Sequence, residues 1–200
     1  MKTLVLAFTL FAFIFLGCNK EDDGFTPTLP PITQTGENTF GCYVNGVLIT
    51  PRDGSGTFNV PDRGMILVAG PGPTEFSYQE IKVRDFASEK TARITLHLIH
   101  PDSISIGSYT INESNCMGNI DSPITNNVFC RIFDYEKGIY KEYCSFEDSG
   151  TINITRYENG VISGTFSCRV RNKNDFNDII EITEGRFDLD GYTLPYANFP

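Results

Sequence analysis

In Arg93-Ile94-Thr95-Leu96-His97-Leu98 every second residue is apolar, which is the period of a half-buried strand. The same alternation runs through Thr151-Ile152-Asn153-Ile154-Thr155 and through residues 161–170. In the latter, Ile162, Phe166, Cys168 and Val170 share one face, while Thr165 and Ser167 point the other way. Turn signals separate such runs. Asn45-Gly46 joins residues 39–44 to 47–50, and Asn-Gly suits a type I′ turn because both central residues need positive φ. Ser88-Glu89-Lys90 divides 76–86 from 92–100, and Glu136-Lys137-Gly138 divides 128–134 from 139–146. Asn159-Gly160 precedes the strand that starts at Val161. Residues 65–69, 106–111, 179–183 and 186–189 are further candidate strands. No window in this region repeats every 3.6 residues. The pattern predicts an all-β fold over residues 39–200, a single antiparallel β-sandwich or barrel of roughly ten strands.

Ahead of this domain the pattern changes. Lys2 precedes an unbroken, mostly apolar run over residues 4–16. That is shorter than the ~20 residues needed to cross a bilayer, so residues 1–17 read as a secretory signal peptide. Leu16-Gly17-Cys18 resembles a bacterial lipobox. The resemblance implies that Cys18 is lipidated and becomes the first mature residue; an ordinary cleaved signal that carries a cysteine is the alternative. Asn19-Lys20-Glu21-Asp22-Asp23 follows at once. A lysine and then carboxylates at these offsets resemble the surface-export signal of Bacteroidetes lipoproteins, with Lys20, Glu21, Asp22 and Asp23 as the signal. This implies an outer-membrane, lipid-anchored protein exposed on the cell surface. The plainer reading is that these charges keep a tether solvated. Residues 24–38 hold Pro27, Pro30, Pro31 and several Thr without apolar periodicity, so residues 18–38 read as the lipidated Cys and a disordered tether.

Charge narrows the partners. The chain has 25 acidic against 16 basic residues, a formal net charge of −9, and cleavage after Gly17 removes a lysine and no carboxylate. Nucleic acid is therefore not expected as a partner. The membrane is expected as one, through Cys18. A glycan, small-molecule or protein ligand stays open, as does the oligomeric state.

Six cysteines are present. With Cys18 lipidated, an odd five remain in an oxidising compartment, which predicts two disulfides and one free thiol. Cys130 and Cys144 are the best local pair, because they lie on facing arms of one predicted hairpin; closing that loop is worth about 3 kcal/mol. There is no Cys-x2-Cys pair and no His near a Cys, so no metal site or cofactor is expected.

Catalytic sets are thin. His97 and His100 stand three apart, on opposite strand faces. His97 shares a face with Arg93 and Thr95, which predicts a polar residue turned to solvent or to a lumen. Gly54-Ser55-Gly56 lacks the strand–turn–helix setting of a nucleophile elbow. Asn172, Asn174, Asp175, Asn177 and Asp178 form an oxygen-rich run without calcium-loop spacing, and read as a polar hairpin loop. Tyr43, Tyr78, Tyr109, Tyr140 and Tyr143 lie on strands and would hold a sugar only if stacked on one face; packing is the commoner use. Asp102-Ser103-Ile104 resembles the O-glycosylation acceptor of the same bacterial group, with Ser103 as the acceptor.

Two stretches carry a wider resemblance. Residues 29–46, Leu-Pro-Pro-Ile-Thr-Gln-Thr-Gly-Glu-Asn-Thr-Phe-Gly-Cys-Tyr-Val-Asn-Gly, are similar to the PPxTQxGxNTFGCxVNG entry of a family of uncharacterised Bacteroidetes surface lipoproteins. Gly150-Thr-Ile-Asn-Ile-Thr, Ile162-Ser-Gly-Thr-Phe-Ser and Ile182-Thr-Glu-Gly-Arg-Phe-Asp188 resemble its later hairpins. That family is a domain of unknown function, so the resemblance implies fold and location and transfers no active site. The expected function is a surface-tethered, non-catalytic β domain that binds or supports. A small-ligand or glycan-binding β-barrel carrier is the alternative, and a secreted hydrolase the third reading.

Overall fold

The computed structural model describes residues 26–57, 61–71, 77–86, 92–99, 106–118 and 124–200. Cys18, the Lys20–Asp23 signal, His100 and Ser103 lie outside the described residues. Among the described residues, eleven strands form one antiparallel sheet that does not close. They are β1 (Thr39–Val44), β2 (Val47–Ile49), β3 (Met65–Pro71), β4 (Ser77–Arg84), β5 (Arg93–Ile99), β6 (Gly107–Ile111), β7 (Asn127–Asp134), β8 (Ile139–Cys144), β9 (Gly150–Glu158), β10 (Val161–Asn172) and β11 (Ile179–Asp190). The predicted strand pairs are present; the expected Ser88-Glu89-Lys90 turn lies outside the described residues. Asn45 and Gly46 have φ of 48° and 81°, and Asn159 and Gly160 have 52° and 79°, the positive values that an I′ turn requires.

The strand order is β2-β1-β11-β10-β8-β7-β5-β4-β3, with β9 on β10 and β6 on β9. One edge of β10 serves two partners. Residues from Val161 to Cys168 pair with β9, and Arg171 and Asn172 pair with β8. The sheet forks there. Register shifts break the ladders within β1, β9–β10 and β10–β11, and such bulges bend strands and increase twist. The two halves, β3-β4-β5-β7-β8 and β1-β11-β10-β9-β6, thereby turn their apolar faces onto one core. Ile81, Val83, Ile94, Leu96 and Leu98 from one half join Phe40, Ile152, Phe166, Ile182 and Phe187 from the other.

Phe166 packs at 5.7 Å from Phe40 and 6.4 Å from Phe187 between ring centroids. Its cross-strand partner is Gly185. A Cβ there would stand 2.4 Å from the Phe166 ring, so the glycine makes the space the ring fills. Thr165 is half-buried and Ser167 exposed, as the alternation predicts.

Three expectations change. Residues 179–183 and 186–189 are one strand, β11, because Glu184 takes a φ of 52° and the ladder resumes past the shift. The tether does not run free to Asn38. Asp188 accepts hydrogen bonds from Thr33 Oγ1 (2.7 Å), Thr35 N (3.0 Å), Gly36 N (2.9 Å) and Glu37 N (3.2 Å), and a further one from Ser163 Oγ (2.6 Å). Asn38 Oδ1 accepts from Asp190 N, and Arg156 donates to the Gln34 carbonyl. Residues 33–38 are thus a strap on β10–β11. Finally, Cys144 is bonded to Cys116 and not to Cys130. In the β7–β8 register Cys144 faces Phe129 while Cys130 faces Tyr143. A one-residue offset sends the two sulfurs to opposite sides of the sheet. Cys42, Cys130 and Cys168 are free and buried in the core, so one bridge replaces the expected two. Burial pushes all three thiols up, Cys130 to about 12, and an inert neutral thiol packs as a small hydrophobe.

Candidate functional site

A cleft of about 270 Å3 opens where the β1–β2 turn meets the ends of β4, β5 and β7. Val44, Val47, Leu48 and Ile49 form one wall, and Ile132, Phe133 and Tyr135 the other; Asp85 and Ala92 close the end. The first wall follows from the Asn45-Gly46 turn, which folds Val47 back over Val44. The second depends on the β7–β8 turn. Asp134 Oδ1 accepts from the backbone N–H of Glu136 (3.0 Å) and Lys137 (3.1 Å), an Asx-type turn. The Lys137 backbone bond first, and then Lys141, hold the Asp134 carboxyl below its ordinary value. Lys141 Nζ lies 3.0 Å from both Asp134 and Asp178, which raises its pKa and pins the hairpin to the β10–β11 loop.

Aromatic rings crowd this hairpin. Phe133 meets Tyr135 and Tyr140 edge-on, each at 5.1 Å, the preferred geometry for such pairs. Tyr135 is 70% exposed and Val47 63%, so the rim offers apolar surface to solvent. Asp85 is held by Arg52 through two bonds of 2.7 and 2.6 Å, a bidentate fork, and supplies a fixed polar edge. A second, more open hollow lies beside Gln34, Ile106 and residues 155–158. Its Arg156 is engaged by Glu158 and by the Gln34 carbonyl.

A separate cluster lies on the outer face of β4–β5. His97 Nδ1 and Glu80 Oε1 are 3.1 Å apart, and Lys82 Nζ is 2.7 Å from Glu80 Oε2. His97 stacks on Tyr78 at 5.5 Å. Burial alone would raise the Glu80 pKa, but the bonds from His97 and Lys82 outweigh it and lower the value. His97 is therefore not turned to solvent or to a lumen: it is 4% exposed and Glu80 0%. The cleft contains neither residue; the pair sits buried beside Lys82.

The other singled-out residues disperse. Asp178 Oδ2 accepts from Lys141, Tyr143 and Asn172, each at 3.0 Å, and Asn172 and Asp175 bond backbone N–H groups within their own loop. The oxygen-rich run is spent on holding its own turn. Among the described residues no three His, Cys, Asp or Glu side chains are placed to hold a metal ion. Tyr78 and Tyr143 are buried, so the five strand tyrosines do not form one platform; only Tyr140 joins the exposed aromatic group. The cleft residues come from three distant segments, and no spacing in the sequence links them. Tyr135 in particular sits beside a turn, where an aromatic carries no periodic signal. No family model, curated protein or solved structure matches the chain.

Proposed function

We propose that the chain is a surface-tethered, non-catalytic binding domain that takes a small ligand or glycan ring into the cleft between the β1–β2 and β7–β8 hairpins. The observation that carries this is the cleft itself: apolar walls, exposed Tyr135, and the fixed Asp85 edge beside them. Small-ligand sites combine apolar lining with a few placed polar groups in this way. The carrier alternative needed a closed barrel with an open lumen. The sheet is open and its interior is packed with Phe, Ile, Leu and Val side chains exposed by 3% or less, which favours a surface ligand. The tether reading rests on Gly17-Cys18 and on Lys20 to Asp23.

Two experiments test it. A panel of neutral and acidic oligosaccharides and metabolites, read by thermal shift and calorimetry, should give a ligand whose binding is lost in Tyr135→Ala while the melting temperature is kept. If no member binds, or Tyr135→Ala binds equally, the cleft has no such role. Cys18→Ala should abolish palmitate labelling and release the protein from membranes. Replacing Lys20 to Asp23 with Ala should keep acylation but remove sensitivity to protease added outside intact cells.

A further inference from the structure

The outer face of the β4–β5–β7 half carries three arginines in one row. Arg84 stands directly opposite Arg93, and Arg93 directly opposite Arg131. Neighbouring strands are about 5 Å apart, so the row spans roughly 10 Å. Like charges directly opposite on a sheet repel, and here they gather in a chain whose formal net charge is −9. None of the three forms an ion pair among the described residues. Arg84 lies over the Phe86 ring (5.5 Å), Arg131 over Tyr140 (4.1 Å), and Arg93 over Phe129 (5.7 Å) while donating to the Gly118 carbonyl at 2.7 Å. The nearby carboxylates are engaged elsewhere: Glu142, opposite Arg131, meets Lys173 at 3.3 Å, and Glu80 meets Lys82 and His97. Arg93 Nε is buried with no hydrogen-bond partner. Burial first, and then the Arg84 charge, pull the Arg93 pKa down against the opposing charges of Glu80 and Glu142.

Arg84 and Arg131 lie over rings and keep their N–H groups for a carboxylate or sulfate, while Arg93, bonded to Gly118, adds positive charge between them. The same face runs on, two residues along β7, to Phe133 and its cross-strand neighbour Tyr140, and then to Tyr135. Flat apolar ring faces of this kind stack on the C–H face of a sugar. We propose that this face binds an acidic oligosaccharide, with its carboxylate or sulfate groups on Arg84 and Arg131, Arg93 adding charge between them, and a sugar ring on the Tyr135–Phe133–Tyr140 group. It deepens the cleft reading, because Phe133 and Tyr135 are shared. Three cationic contacts are too few to hold nucleic acid against the charge of the whole chain, since that affinity grows with the number of phosphates neutralised.

The test uses the full chain with four probes: an oligogalacturonate, a heparin oligosaccharide, the methyl ester of the first, and oligodeoxythymidine. The carboxylated or the sulfated sugar should bind, and which of the two does so names the anion. Binding should weaken between about 50 and about 200 mM salt. Arg84→Gln and Arg131→Gln should each weaken it about tenfold or more. Arg169→Gln, an exposed arginine of β10 stacked on Phe146 at 5.5 Å, should leave it unchanged. Arg93→Gln is held in reserve because it removes the Gly118 bond; the melting temperatures of the other two variants show that they fold. The proposal falls if neither anionic sugar binds, if the Arg84 and Arg131 variants bind as tightly as the parent, or if the nucleotide binds better. Equal binding of the methyl ester, lost in Tyr135→Ala, would leave the cleft reading standing and overturn this one alone.

Discussion

The two halves of the sheet share one core and differ on their outer faces. On β10–β11 the outward residues Ser167, Arg169, Glu181 and Thr183 are exposed, the ordinary outcome of alternation, while Ser163 and Asp188 lie buried where the strap crosses. On β4, β5 and β7 the outward residues Glu80, Thr95, His97 and Asn127 are exposed by 4% or less. The same period of two therefore gives a wet face in one half and a buried ionic one in the other. Burying charges is tolerated only when they are paired, and Glu80, Lys82 and His97 pair one another. The arginine row lies next to this covered zone with no such pairing, which is the ground for proposing it as a binding face.

The largest effects should come from breaking what the halves share or what is buried in only one of them. Phe166→Ala removes a ring at the centre of the common core and should cost about 3–5 kcal/mol, while Thr165→Ala should cost under about 1 kcal/mol; denaturant midpoints compare them. Glu80→Ala leaves the half-buried Lys82 ammonium without its carboxylate and should cost about 3–5 kcal/mol. Glu181→Ala, also outward but on the wet half, should stay within about 0.5 kcal/mol. Equal shifts for the two glutamates would erase the contrast between the faces. The Glu80 pKa is lowered on folding, so its contribution is complete above its ordinary 4.5 and is lost as the pH falls through the lower folded value.

Next in size is the bridge on the covered half. Cys116→Ser should cost about 3–4 kcal/mol. Unreduced peptide maps should show Cys116 joined to Cys144, and Cys42, Cys130 and Cys168 should react with a thiol reagent only after unfolding. A Cys130–Cys144 peptide would overturn the β7–β8 register. The smallest of the major effects belongs to the wet half. Burial alone would raise the Asp188 pKa, but bonds from Ser163, Thr33 and the strap amides outweigh it and lower the value. Asp188→Asn should cost about 1.5–3 kcal/mol and speed amide exchange at Thr35, Gly36 and Glu37. In the parent the strap should hold above the ordinary 3.8 and loosen as the pH falls below it.

By itself the sequence determined the local structure. Alternation and Asn-Gly turns set the strands, the hairpins and the inward list of Ile94, Leu96, Phe166 and Val170, because side-chain period and turn dihedrals are properties of a few neighbouring residues. The expected N-terminal signal likewise rests on sequence alone, since such a reading needs no fold. Only the tertiary structure decided what depends on distant partners. Cys144 met Cys116 because a one-residue register turned Cys130 inward. Residues 33–38 were held because Asp188, far along the chain, lay beneath them. Arg84, Arg93 and Arg131 became one row because three strands aligned. His97 looked like any outward polar residue, since a strand's pattern fixes which side a residue faces and leaves open whether that side is covered.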